Sequence, residues 1–108
     1  MSVENLKVID FASIDKNGYA VLTISDHLQW DDNNEHLLIL QNKINAYLNS
    51  IESGNFYSDY PDAKGRNIII RIVAKYEPNT DAKSFFKKTK EFLQSAGYRL
   101  EFKVLKSE

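Results

Sequence analysis

Both histidines, the only tryptophan and four carboxylates share one short stretch, Asp26-His27-Leu28-Gln29-Trp30-Asp31-Asp32-Asn33-Asn34-Glu35-His36. Imidazole nitrogens and carboxylate oxygens are ligands for zinc and similar cations, and a histidine beside a carboxylate makes a general base near neutral pH. His27, Asp31 and His36 are therefore the candidates for catalysis, with Trp30 as one wall of a pocket. Their spacing matches no metal-binding pattern, so no metal or cofactor is assigned. The same residues have a plainer use. Asp32 and Glu35 are spaced as a capping box, Asp31 and Glu35 suit the positive end of a helix, and Trp30 sits where a hydrophobic staple would. Elsewhere the chain carries no nucleophile triad, phosphate-binding loop or dinucleotide fingerprint.

The elements that must position this stretch come from a chain of 108 residues, 43% hydrophobic and 12% aromatic, enough for one domain spanning 1–108. Fourteen basic against fifteen acidic residues leave a formal charge of -1. That balance gives no broad attraction to nucleic acid or an anionic membrane. Cysteine is absent, which excludes disulfides and thiolate chemistry. Without a basic leader or a long apolar run, the expected location is the cytoplasm.

Leu6 to Ile14 and Tyr19 to Asp26 alternate and flank Asn17-Gly18, the signal for a two-residue hairpin turn. That turn pairs Phe11 with Ile24, Ser13 with Leu22 and Ile9 with Asp26, and puts Ile9, Phe11, Leu22 and Ile24 on one face. A helix follows from Asp32 to Gly54. Leu37, Leu40, Ile44, Leu48 and Ile51 form its apolar stripe, with Gln41, Lys43, Asn45 and Asn49 outside it. Asn55 to Arg66 reads as a loop. Asn67 to Tyr76 is the most apolar strand and is expected at the centre of the sheet. Thr80 can cap a second helix with the stripe Ala82, Phe85, Phe86, Thr89, Phe92, Leu93 and Ala96, closed by Gly97. Tyr98 to Val104 alternates as a last strand.

The order ββαβαβ predicts an α+β fold, a two-layer α/β sandwich whose four-stranded mixed sheet carries both helices on one face. Strand order stays open between 1-2-3-4 and 2-1-3-4. The uncovered face would carry Val21, Thr23, Arg71, Val73, Lys75, Arg99, Glu101 and Lys103, too mixed for a core and apolar enough for a partner. Arg71 and Val73 are its candidate contact residues. If strands two and three run parallel, His27 and Trp30 lie near Tyr76 and the start of the second helix, at the carboxyl end where open α/β sheets bind ligands. At the opposite pole, Tyr57 and Tyr60 stand among acidic residues. That composition suits a protein contact or a cover for the sheet edge.

The run from Trp30 to Leu48, continuing to Ile51-Glu52-Ser53-Gly54, resembles the signature of a small bacterial family known only as a domain of unknown function. Leu22 to Leu28 before it and Tyr60 to Gly65 after it share the likeness. The resemblance implies a small, stand-alone bacterial protein and brings no catalytic or binding residue with it. Two readings follow. One is a non-enzymatic interaction module that presents its open sheet face or its tyrosine loop to a protein partner or to a second copy, an immunity-like role being one form. The other is a small enzyme or metal-dependent ligand binder using His27, Asp31 and His36.

Overall fold

Alternation along three strands builds the inner wall of this protein, for which a computed structural model describes residues 11–28, 30 and 35–104. The elements are β1 (Phe11–Ile14), β2 (Ala20–Asp26), α1 (Glu35–Ser53), α2 (Asn55–Asp59), a 3-10 turn (Pro61–Ala63), β3 (Ile68–Ala74), α3 (Thr80–Ser95) and β4 (Tyr98–Val104). The sheet has the order β1-β2-β3-β4. β1 and β2 are antiparallel, and β2, β3 and β4 are parallel. The core joins Leu22 and Ile24 of β2, Ile70 and Ile72 of β3 and Leu100 of β4 to Leu40, Ile44 and Tyr47 of α1 and Phe86 and Leu93 of α3. Both long helices therefore cover one face of a mixed four-stranded sheet, as the element order predicts.

Several local expectations change. β1 pairs Phe11 with Thr23 and Ala12 with Leu22, one residue away from the register expected of a two-residue turn. The cause is Asp15, whose carboxylate accepts from the N–H groups of Asn17 and Tyr19, both at 2.9 Å. Asp15 and Tyr19 close a three-residue loop through a backbone bond of 2.9 Å, with Gly18 left-handed at φ 87°. The expected place of Ile9 lies outside the described residues. So does Asp32, the expected cap of α1.

α1 buries a wider stripe than the aliphatic residues alone suggest, taking in His36, Lys43 and Tyr47. Lys43, expected on the wet side, is 0% exposed. Asn55 to Arg66 is not a plain loop, because Phe56 is buried and draws a short helix down onto the core. The cap of α3 is Asn79 rather than Thr80, its side chain accepting from the Ala82 N–H at 2.8 Å. Phe92, placed in the buried stripe of the second helix, is 61% exposed.

Candidate functional site

In β2 the even-numbered residues face the helices, and Ala20, Leu22, Ile24 and Asp26 are all buried. Asp26 ends that inward row, so the pattern that buries two aliphatics also carries a carboxylate inside. In α1, His36 lies one turn before Leu40 on the same buried stripe. The two meet where strand and helix converge. His36 Nε2 stands 2.7 Å from Asp26 Oδ1 and 2.6 Å from Oδ2, and the side chains are 3% and 0% exposed. Asp26 Oδ1 also accepts from the Leu28 N–H at 3.3 Å, which turns the chain out of the strand.

Trp30 closes the cluster. Its ring stacks on His36 with centroids 3.8 Å apart and planes at 20°, and it meets Phe86 edge-on at 5.9 Å. Its indole N–H donates to the Tyr76 carbonyl at 3.2 Å. One tryptophan thus ties the exits of β2 and β3 to both helices, the work of a staple carried over a longer range.

Of the sequence-derived candidates, His36 is in the cluster and meets the carboxylate of Asp26. Asp31 lies outside the described residues. His27 is exposed. Among the described residues, no three His, Asp or Glu side chains are grouped to hold a metal ion. Asp26 is not among the sequence-derived candidates, although its place in the inward row of β2 marks it. Tyr76 contributes its backbone carbonyl to Trp30, and its ring lies 5.5 Å from Lys75 Nζ. Tyr57 and Tyr60 are half-buried and pack on Phe56 at 5.2 and 5.3 Å, a small aromatic cluster that extends the core.

On the sheet face away from the helices, Val21 and Ile69 are register partners and are already buried. Arg71 pairs with Glu101 across the strands at 2.9 Å, and Val73 is half-buried. Ser25, Arg99 and Lys103 are exposed, so that side presents mainly polar and charged groups.

The two most exposed large apolar side chains among the described residues, Leu38 and Phe92, lie instead on the helix layer, with Ile14 at the end of β1 the third. A groove of about 380 Å³ runs between α1 and α3, lined by Ile44 and Leu48 on one side and Phe85 and Phe92 on the other. Leu38, 57% exposed, sits one helical turn before Gln41 on the α1 rim of the same groove. No described helix is long and apolar enough to cross a membrane.

The chain belongs to a family of unknown function, DUF6572, whose model matches residues 1–106. No curated protein and no solved structure matches it.

Proposed function

We propose that this protein is a non-enzymatic interaction module that docks through the outer face of its helix layer, with a second copy of itself as the partner. The observation that carries the proposal is Phe92, a large apolar side chain left 61% exposed at the edge of an apolar groove. A two-fold contact needs one patch that is complementary to itself. A projecting phenyl ring beside a slot floored by Ile44, Leu48 and Phe85 has that property, since each copy can offer the ring and receive it. The burial of both Asp26 and His36 supports a cohesive use of that pair, because a general base must reach its substrate. The charged reverse side of the sheet favours the helix layer as the docking face.

The test is a dilution series followed by amide NMR. On dilution the amides of Gln41, Asn45, Thr89 and Phe92 shift together, while those of Arg71 and Lys103 stay fixed. Shifts confined to the sheet residues, or none at any concentration, would overturn the assignment.

A further inference from the structure

At the amino edge of β3 and β4, away from the helix groove, a second cavity of about 340 Å³ opens beneath the last turns of α3. Its described lining holds two cations, Lys90 from α3 and Arg99 from β4, and no carboxylate. Tyr19, Tyr98 and Gln94 add neutral hydrogen-bonding groups, and Ile69 and Leu100, on opposite faces of the sheet, add apolar lining where the cavity wraps the start of the strands. The Arg99 guanidinium lies 5.6 Å from the Tyr19 ring centroid, which fixes its position.

We propose that this cavity binds a small organic anion with a flat apolar body, a planar carboxylate being the simplest. The size is at the lower end of ordinary ligand pockets, and the mix of apolar lining with a few placed polar groups is their usual make-up. The local charge balance supports an anion. The C-terminal end of α3 contributes about half a negative charge. Glu52 lies close enough to help hold the Tyr98 proton on. The Asp15 carboxylate, on the Tyr19 N–H at 2.9 Å, adds a further negative charge at the margin, and against these stand the two lining cations and Arg66, whose guanidinium donates to the Gly18 carbonyl at 3.1 Å. The balance stays positive. Burial first, and then Glu52 and Tyr57, raise the Tyr98 pKa, so its hydroxyl remains a donor across the neutral range.

The test uses the full chain and three probes, naphthalene-2-carboxylate, the neutral 2-naphthalenemethanol and acetate, each titrated against amide NMR shifts. The carboxylate shifts Gln94, Gly97 and Arg99 saturably. The alcohol binds roughly tenfold more weakly, the weight of one charge-assisted hydrogen bond. Acetate, lacking the apolar body, does not saturate. Lys90→Gln and Arg99→Gln each weaken the carboxylate by a similar factor, and Lys87→Gln leaves it unchanged. Equal binding of acid and alcohol, shifts mapping elsewhere, or undiminished binding in Lys90→Gln would overturn the proposal. Lys90 is exposed on a helix, so that variant decides the matter even if Arg99→Gln does not fold. The outcome is independent of self-association, because Phe92 is no part of this lining.

Discussion

His36 Nε2 lies within 2.7 Å of both carboxylate oxygens of Asp26, ten residues earlier in the chain, and both side chains are closed to solvent. The contact joins the end of β2 to the first turn of α1. Removing one member leaves the other buried without this contact, which costs about 3–5 kcal/mol. His36→Ala and Asp26→Ala should each lower the unfolding free energy by that amount, read as a lower urea midpoint at an unchanged m-value. Asp26→Leu with His36→Leu should recover part of the loss, because neither member is then left buried without the other, although the Leu28 N–H loses its acceptor. A double variant no more stable than either single one would contradict the pair's role.

Trp30 stacks directly on His36, so the only indole in the chain reports that contact. Removing the imidazole changes the surroundings of the indole ring. Native-state emission should therefore shift in His36→Gln and stay at the parent value in His27→Gln. A shift in the His27 variant instead would place the reporter beside the wrong ring.

The hairpin turn depends on Gly18, at φ 87°, where an added Cβ would meet Arg66 Nη1 at 3.2 Å. Gly18→Ala should destabilise by about 1–2 kcal/mol, the cost of a left-handed alanine, and Gly18→Asn by less. Thermal melts of the two variants check the order. Equal melting would show that the loop does not need its left-handed residue.

Tyr98 has its pKa raised above 10.0, by burial first and then by Glu52 and Tyr57. The unfolded chain releases this proton at about 10, while the native chain holds it. The contribution is fully present below pH 10 and is lost as pH climbs through the higher native value. Tyr98→Phe should therefore lose stability less steeply above pH 10 than the parent. Parallel profiles for the two would remove Tyr98 from the alkaline transition.

Much of this arrangement was legible in the residues. The alternation of Leu22, Ile24, Ile70 and Ile72 set the inner rows, and parallel pairing of β2 with β3 brought Trp30 to Tyr76 as expected. What escaped depended on side chains meeting at a distance or on very short elements. The hairpin slipped by one residue because the Asp15 carboxylate took two N–H groups that the Asn-Gly signal does not include. The pairing of His36 with Asp26 followed from the inward row of β2, a pattern visible only when a charged residue is allowed to continue an apolar face. Phe92 was read as core because its spacing fits the α3 stripe, yet α1 does not come close enough to cover it. The five residues of α2 are too few for helical periodicity to show.

The central claim, that Phe92 and the groove beside it join two copies of this chain, is tested most directly by size-exclusion chromatography with light scattering on the parent and on Phe92→Asp. The account predicts a parent mass of twice 12.5 kDa, falling to 12.5 kDa in the variant with its fold intact by circular dichroism. A parent that stays at 12.5 kDa at the highest soluble concentration, or a dimer that Phe92→Asp leaves untouched, would contradict it.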